Sequence, residues 1–475
     1  MFDSYIRDHA SWSPRATAVF LPGRQVGYAE FNADIDRFGA GLADRGISRA
    51  SGVVSVAVGE PYLQYLATAA LSRLDVCSAP ANDERADLRL TDHVAPGAEG
   101  PPSLPLTRDW IAATLAAEPR PLPNRLRDPL ALGRVMLSSG TTRVPRRVGL
   151  TWRRLEIGNH TTLHTYCSGK LGTWIPLVGI DSMMGLSLIM GAWSVGAAAA
   201  NAIPMADMGH WLETLPPGMI ALTPMHLRQL LAALPPGFRP RPQWRIICGG
   251  SLLPPAVARE ARLTLTPDIR LIYGSTESGT AALGHAAGLE DTPGQVGITP
   301  AGGIVDIVDD DGAPLPDGET GEIRVRGPRM VYGYLGDPQA TAERFRDGWF
   351  YSGDLGRRLP DGRLVLEGRA DERMNLGGIK VMPALLEEAA LACPGVRDAA
   401  AFAVPDEQGV DQAWIAVAVE PGFAREGLTV HMAAYRNLPA HRFAWIDEVP
   451  RNAMGKVDRG KLRDAVLAVT RPGAN

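Results

Sequence analysis

Small, hydroxylated and basic residues are concentrated in one loop of the sequence, at 138–147. A largely apolar run, 130–137, predicts a buried strand, and five small or hydroxylated residues and then three arginines follow it. Uncovered backbone N–H groups, hydroxyl donors and guanidinium forks are the groups that hold phosphate oxygens. The spacing is not that of a Walker A loop, and no helix opens directly after it. Taken alone, the pattern is explained more simply by an ordinary surface loop rich in serine and threonine.

Two further polar loops follow predicted strands. The strand 245–248 ends in Gly249 and Gly250, and the strand 269–272 ends in the segment 273–279, Tyr-Gly-Ser-Thr-Glu-Ser-Gly. In open α/β sheets, ligands bind at the carboxyl ends of the strands. The three loops together therefore indicate a ligand site at one edge of a sheet.

Helical and extended patterns alternate from the N-terminus to about residue 292. A helical spacing covers 28–45, a short apolar strand covers 53–58, and a second helical spacing covers 62–73. This alternation predicts a parallel sheet with helices on its faces. From about 293, short strands are joined by Asp-Gly turns, which predicts a β-rich, barrel-like part. From 373 onward the pattern predicts a small α+β unit.

Composition indicates a globular protein with more than one domain. The 475 residues are 45% hydrophobic and 21% charged, with a formal charge of −4. This charge argues against a nucleic-acid partner. The four cysteines are far apart, so neither a zinc site nor a disulfide framework is indicated, and we expect a reducing, cytoplasmic location.

One uncharged stretch, 182–206, is long enough to span a membrane. It is rich in Gly, Ala, Ser and Met, contains Asn201 and Pro204, and has acidic flanks at Asp181 and Asp207. Membrane-spanning helices are richer in large aliphatic residues and have basic flanks. We therefore expect no membrane span and predict a buried helix that leads into a buried strand.

Six segments follow one another in an order and spacing that chance does not explain. They are SSGTTRVPRR (138–147), YGSTE (273–277), GEIRVRG (321–327), YSGDL (351–355), GRADERMNLGGIKVMP (368–383) and NAMGKVDRGKLR (452–463). With these segments, over roughly residues 10–465, the sequence resembles the adenylate-forming superfamily of acyl-CoA synthetases, peptide-synthetase adenylation domains and luciferases.

The resemblance implies an α/β fold in two domains. Residues 1–370 would form a large AMP-binding domain with two parallel α/β sheets and a β-barrel-like part at about 293–368. Residues 371–475 would form a small, mobile α+β domain that carries the catalytic lysine. Asp371 would be the hinge between the two domains.

The resemblance also implies a site for ATP and Mg²⁺. Thr276 would donate to the α-phosphate, and Glu277 would hold Mg²⁺, a cation that prefers carboxylate and phosphate oxygens. Asp354 would accept the ribose hydroxyls with help from Arg369, and Tyr273 would stack on adenine. The other nucleotide-binding residues implied in this way are Ser138, Ser139, Gly140, Thr141, Thr142 and Arg146 at the β- and γ-phosphates, and Gly249, Gly250 and Gly274 near adenine.

The implied reaction joins a small carboxylic acid to a thiol through an acyl-adenylate. Lys456, in a glycine-hinged loop, would reach the substrate carboxylate and the α-phosphate together and offset charge in the transition state. Gly377 and Gly378 would border the tunnel through which the thiol arrives.

Several acceptors are compatible with this reaction. The segment 379–383, Ile-Lys-Val-Met-Pro, favours coenzyme A. An acyl or peptidyl carrier protein and a non-thiol nucleophile such as an amine are alternatives. A non-catalytic binding protein is a further alternative, and the presence of Glu277, Asp354 and Lys456 argues against it.

The resemblance places the acyl pocket but does not identify the acid. The pocket residues implied by position are Asp181, Met183, Met184, Met225, His226 and Gly279. Three methionines make the pocket apolar and adaptable, which favours an aryl or medium-chain acid. Asp181 either pairs with an amino group of the substrate or caps a helix, and we favour the cap. His226 either contacts the substrate or begins a helix.

The phosphate loop is where the sequence departs most from its relatives. Arg143, Arg146 and Arg147 stand where the family usually has Gly, Lys and Gly. Gly179 stands where an aromatic or histidine gate of the acyl pocket is common. Arginine keeps the charge but removes two flexible positions, so our hypothesis is a loop that holds pyrophosphate more rigidly or closes more slowly.

Overall fold

The computed structural model describes most of the chain. The described residues are 2–93, 100–124, 126–138, 145–167, 169, 172–201, 203–376, 379–406, 410–435, 438–451 and 457–470. Their α-helices are α1 (Phe2–Trp12), α2 (Tyr28–Asp44), α3 (Pro61–Arg73), α4 (Arg108–Ala116), α5 (Trp152–Thr162), α6 (Met183–Ser194), α7 (Met208–Thr214), α8 (Pro224–Ala233), α9 (Pro255–Thr264), α10 (Pro338–Arg344), α11 (Pro383–Leu391), α12 (Arg425–Ala433) and α13 (Arg459–Thr470).

The strands fall into three groups along the chain. The first group is β1 (Thr17–Leu21), β2 (Arg24–Gly27), β3 (Val53–Ala57), β4 (Cys77–Ala79), β5 (Leu88–Thr91), β6 (Ser103–Pro105), β7 (Leu132–Leu137), β8 (Arg147–Thr151), β9 (Thr173–Pro176), β10 (Ala198–Ala200), β11 (Met219–Leu222), β12 (Arg245–Gly249), β13 (Ile269–Ser275) and β14 (Gly279–His285). The second is β15 (Gln295–Gly297), β16 (Ile304–Val308), β17 (Gly321–Arg326), β18 (Phe345–Arg346), β19 (Trp349–Arg358) and β20 (Leu364–Arg369). The third is β21 (Met374–Leu376), β22 (Ile379–Val381), β23 (Val396–Pro405), β24 (Asp411–Val419) and β25 (His441–Trp445).

Two sheets form the N-terminal part of the protein. The first has the strand order β14-β13-β12-β11-β9-β10-β1-β2, and its strands from β13 to β1 are parallel. The second has the order β6-β5-β3-β4-β7-β8 and is parallel except for the β7–β8 hairpin. The predicted fold class, with two parallel α/β sheets, is confirmed.

The loop after β13 is shorter than the sequence predicts. The strand continues through Tyr273 and Gly274 to Ser275, and the antiparallel β14 begins at Gly279. The loop is therefore only 276–278, and it lies beside the end of β12 at Gly249 because β12 and β13 are parallel neighbours. Short connections at this edge hold Thr276 and Glu277 close to the sheet.

The uncharged stretch forms a buried helix followed by a buried strand, as predicted. Ser182 caps α6 by accepting a hydrogen bond from the backbone N–H of Gly185, and the helix leads to β10. Among the helices of the described residues, none combines the length and the apolar character needed to cross a bilayer.

The β-rich part is an open sheet rather than a closed barrel. Its antiparallel strands have the order β15-β20-β19-β17-β16, with β18 paired to β19. Within the described ranges, no pairing joins β16 to β15, so the barrel-like closure expected from the turns is not formed. The C-terminal unit has its own sheet, β23-β24-β25, and its own hydrophobic core around Leu386, Ile415 and Leu428.

Candidate active site

A large cleft lies where the N-terminal sheets, the β-rich sheet and the C-terminal unit meet, with a volume of about 2840 Å³. The predicted site residues that line it are Ser138, Arg146, Asp181, Met183, Met184, Met225, Gly250, Tyr273, Gly274, Thr276, Glu277, Gly279, Asp354, Arg369 and Asp371. Gly249 and His226 are outside its lining. Ser139, Gly140, Thr141, Thr142, Arg143, Gly377, Gly378 and Lys456 lie outside the described residues.

The predicted phosphate loop connects the strands of the β7–β8 hairpin. Its base is closed by a 2.9 Å hydrogen bond from the backbone N–H of Ser138 to the carbonyl of Arg146. Arg146 lines the cleft, whereas Arg147 begins β8 and donates from Nε to Asp83 at 3.0 Å. Asp83 is only 1% exposed, so this ion pair is buried. The two arginines are therefore not equivalent.

Glu277 is the buried carboxylate at the edge of the first sheet, 6% exposed. Its Oε1 accepts a 2.9 Å hydrogen bond from the hydroxyl of Tyr334, and its backbone carbonyl accepts one from Val331. Burial, followed by the charge of Glu277, raises the pKa of Tyr334, so this hydroxyl remains a donor. A hydrogen bond from the segment that follows β17 therefore holds the Glu277 carboxylate in place.

One carboxylate suits the Mg²⁺ that accompanies ATP. This ion usually binds one or two carboxylates, phosphate oxygens and water rather than a cage of protein ligands. Across the described ranges, no group of three or more His, Cys, Asp or Glu residues could hold a metal ion. Glu277 beside a bound triphosphate therefore fits Mg²⁺ better than it fits a metal held by the protein alone.

Asp354 and Arg369 face each other across the β19–β20 ladder. Oδ2 of Asp354 accepts a 2.6 Å hydrogen bond from the Tyr273 hydroxyl, and Oδ1 lies 3.4 Å from Nη1 of Arg369. Burial and the nearby carboxylate raise the pKa of Tyr273 well above its usual range. The first sheet and the β-rich sheet are therefore joined at the position predicted for the ribose.

The two adjacent glycines after the strand 245–248 have different roles. A Cβ at Gly249 would lie 2.5 Å from Cγ2 of Ile272, so glycine here permits the close packing of β12 on β13. The proximity of Gly249 to adenine stays a prediction. Gly250 lines the cleft and has a φ of +92°, a backbone conformation that favours glycine.

Asp371 lies in a short 3₁₀ turn, Ala370–Glu372, between the β-rich sheet and the C-terminal unit. Arg369 donates to both of its carboxylate oxygens, at 3.0 and 3.1 Å. A contact between the two parts of the chain is made by Arg228, which lies 3.7 Å from Asp398. The predicted hinge residue is therefore at the join, with its carboxylate held by an arginine.

The structure decides between the alternatives given for two residues of the acyl pocket. Asp181 is not the helix cap, because Ser182 caps α6 and Asp181 accepts a 2.9 Å hydrogen bond from the buried Arg134. That ion pair also argues against a free carboxylate waiting for a substrate amine. His226 turns towards Thr223, whose Oγ1 is 3.1 Å from its Nδ1, and completes the cap of α8.

Tyr334 and Arg329 are among the cleft-lining residues that were not predicted from the sequence. Their sequence signal is the run 327–335, Gly-Pro-Arg-Met-Val-Tyr-Gly-Tyr-Leu, directly after β17. This run has neither helical nor strand periodicity, so its contacts with Glu277 and Gly279 depend on the tertiary fold.

The fold and the cleft are those of an adenylate-forming enzyme. The sequence profile of the family described as "AMP-binding enzyme" matches residues 97–335. The chain is 31% identical over 381 residues to a sulfoacetate–CoA ligase of Cupriavidus necator, covering 78% of this chain and 72% of the relative. It is 28% identical over 525 residues to an indoleacetate–CoA ligase of Aromatoleum aromaticum, covering 98% of each. The chain belongs to the AMP-binding enzyme family.

Solved structures have the same fold. The o-succinylbenzoate–CoA synthetase of Bacillus subtilis, in complex with its acyl-adenylate intermediate, matches with a TM-score of 0.83 and 21% identity, covering 97% of this chain and 98% of that one. The predicted family, fold class and enzyme class are thus confirmed.

Proposed function

We propose that this protein is an ATP-dependent acid–thiol ligase that converts a carboxylic acid to an acyl-adenylate and transfers the acyl group to coenzyme A. The observation that carries the proposal is the convergence of Arg146, Glu277 and Asp354 in one cleft, from three separate parts of the chain. The names of the two relatives, CoA ligases for sulfoacetate and indoleacetate, support coenzyme A as the acceptor.

In the first half-reaction, an oxygen of the substrate carboxylate attacks the α-phosphorus of ATP and pyrophosphate leaves. Thr276 donates to the α-phosphate, while Ser138 and Arg146 hold the leaving phosphates. Glu277 would hold Mg²⁺, which neutralises phosphate charge when bound. Positioning and charge neutralisation dominate such phosphoryl chemistry. The buried, hydrogen-bonded state of Glu277 supports its role as a fixed ligand.

In the second half-reaction, the thiol of coenzyme A attacks the acyl carbon and AMP leaves. The domains are residues 1–370 and 371–475, and the smaller one turns about Asp371 between the half-reactions. Lys456 acts in the first orientation, and Gly377 and Gly378 border the thiol path in the second. The location of Asp371 in a short turn between two sheets supports the hinge.

The test is a pyrophosphate-release assay over a panel of carboxylic acids, each measured with and without coenzyme A. We expect release that requires ATP, Mg²⁺ and an acid, and a CoA thioester when coenzyme A is present. Glu277→Gln is the matched variant, because it keeps the shape of the side chain and removes the charge. Release that does not depend on an acid, or that is unchanged in Glu277→Gln, would contradict the proposal.

The acceptor is tested separately from the adenylation. Acid-dependent pyrophosphate release without any thioester would retain the adenylation step and reject coenzyme A. A phosphopantetheinylated carrier protein and hydroxylamine, added to the same reaction, then distinguish a carrier-loading enzyme from one that acylates an amine.

A further inference from the structure

Arg329 is a partly exposed cation on the wall of the cleft. Gly279 and Thr280 lie beside Arg329, and we group them with the cleft-lining residues Thr162, Tyr166, Met184 and Leu188 as the inner pocket. Tyr166 and Leu188 belong to an apolar cluster against which Met184 packs. Met184 and Gly279 are also positions implied for the acyl pocket. The inner pocket therefore combines an apolar wall with one positive charge.

Two glycines make room for the Arg329 side chain. A Cβ on Gly279 would lie 2.8 Å from Cβ of Arg329, and a Cβ on Gly158 would lie 3.2 Å from its Nη2. Gly158 is inside α5, where glycine costs about 1 kcal/mol relative to alanine. Glycine at position 158 is therefore explained by the Arg329 guanidinium, which a larger side chain would crowd.

The charge of Arg329 is not balanced by the part of the chain that the structure describes. No Asp or Glu there forms an ion pair with it within 4.0 Å, whereas the buried Arg73, Arg134 and Arg245 each pair with a carboxylate. Its Nη1 donates to the hydroxyl of Thr280 at 3.3 Å, and Tyr166 lies 2.6 Å from the same hydroxyl. These partners are neutral, since burial raises the pKa of Tyr166 to about 12.

A charge that is partly withdrawn from water and lacks a counter-charge is unfavourable, and an anion that binds beside it reduces this penalty. Burial also lowers the pKa of the Arg329 guanidinium, which is the direction expected for an uncompensated cation. A guanidinium presents two parallel N–H donors to a planar or tetrahedral anion. An anion bound in the inner pocket would therefore form both an ion pair and hydrogen bonds with Arg329.

We infer that Arg329 binds a second anionic group of the substrate, so that the acid is a dicarboxylic or sulfo-carboxylic acid rather than a neutral-tailed one. This inference rests on the proposed function, because it assigns the acid which that reaction activates. One carboxylate of the substrate reacts with ATP. The second anion, a carboxylate or a sulfonate, remains unreacted against Arg329 and Thr280.

The test compares acids that differ only in the second charge. Glutarate is paired with its monomethyl ester, and isophthalate and 3-sulfobenzoate are paired with benzoate. We expect kcat/KM for acid-dependent pyrophosphate release to be higher for the doubly charged member of at least one pair. Arg329→Gln should lower that value about 10²-fold, leave the neutral member unchanged and leave the KM for ATP unchanged. Arg326→Gln, an exposed arginine on β17, is the matched control and should change neither member.

Folding is measured on the same variants. Arg329→Gln should keep or raise Tm, because it removes a partly desolvated charge that no described carboxylate balances. An equal loss for charged and neutral acids, a wild-type preference for the neutral member of every pair, or a clear drop in Tm would overturn the inference while leaving the proposed function intact. Absence of acid-dependent release from the whole panel would instead count against the proposed function itself.

Discussion

The hydroxyl of Tyr334 donates a 2.9 Å hydrogen bond to Oε1 of Glu277, and the guanidinium carbon of Arg146 lies 5.2 Å from the centre of the same ring. One aromatic side chain therefore touches both the carboxylate proposed for Mg²⁺ and the arginine proposed for the leaving phosphates. This arrangement makes Tyr334 a positioning residue for two charged groups that come from different sheets.

Tyr334→Phe should weaken the use of Mg²⁺ without removing activity. The change deletes a hydrogen bond to a charged group, so we expect the free Mg²⁺ concentration for half-maximal pyrophosphate release to rise about tenfold. The ring over Arg146 is kept, so the KM for ATP at saturating Mg²⁺ should change little. A lower Tm with an unchanged Mg²⁺ titration would mean that the hydroxyl only supports the fold.

Arg147 should prove to be structural. Replacing it with Met leaves the buried Asp83 without its partner, which costs about 3–5 kcal/mol of stability, while the KM for ATP stays near the wild-type value. Arg146→Met should show the opposite pattern, with a higher KM for ATP and little change in the urea unfolding midpoint. An ATP-affinity loss in Arg147→Met equal to that in Arg146→Met would refute the distinction between the two arginines.

Lys456→Ala should separate the half-reactions. We expect adenylation to fall by about 10²–10³-fold, because a charge that stabilises the transition state is lost. Thioester formation from supplied acyl-adenylate should remain, since the lysine acts in the first orientation alone. Single-turnover assays of each half-reaction measure the two rates. Equal losses in both would remove Lys456 from the role proposed for it.

The burial of His226 should make the folded protein less stable at acidic pH. Burial lowers its pKa, so below the ordinary value of about 6.5 the unfolded chain takes up a proton that the folded chain resists. The contribution of neutral His226 to the free energy of unfolding is complete above the ordinary pKa. It is lost as pH falls through the lowered pKa of the folded state. His226→Asn should reduce the fall in urea midpoint between pH 7.5 and 5.5. A slope identical to wild type would exclude this contribution; His285, whose pKa burial also lowers, accounts for part of the remaining slope.

Much of the fold was predictable because its signals are local. Thr151 and Thr223 cap helices where hydroxyl residues precede a helical run, and the uncharged stretch became α6 and β10. Tyr273, Glu277 and Asp354 were found from motif resemblance, and the structure brings them to one cleft. Registers such as Asp354 opposite Arg369 required the assembled sheet.

The errors occurred where a distant partner decides the role of a residue. Asp181 has the residue type of a cap, but Arg134 pairs with it from a strand in the other sheet. The role of Arg329 could not be predicted from the sequence, because a missing counter-charge is visible only after every neighbouring carboxylate has been placed.

The shared carboxylate of Asp398 has a consequence for the speed of domain movement. Arg451, in the same C-terminal unit, donates to it at 2.7 and 3.0 Å, while Arg228 of the N-terminal part approaches only to 3.7 Å. The proposed rotation breaks the longer contact and preserves the shorter ones, and Arg228 is 31% exposed and meets water as it leaves. Breaking this one contact therefore leaves Asp398 paired and Arg228 in water, so we expect it to favour one orientation while adding little to the barrier of the proposed rotation.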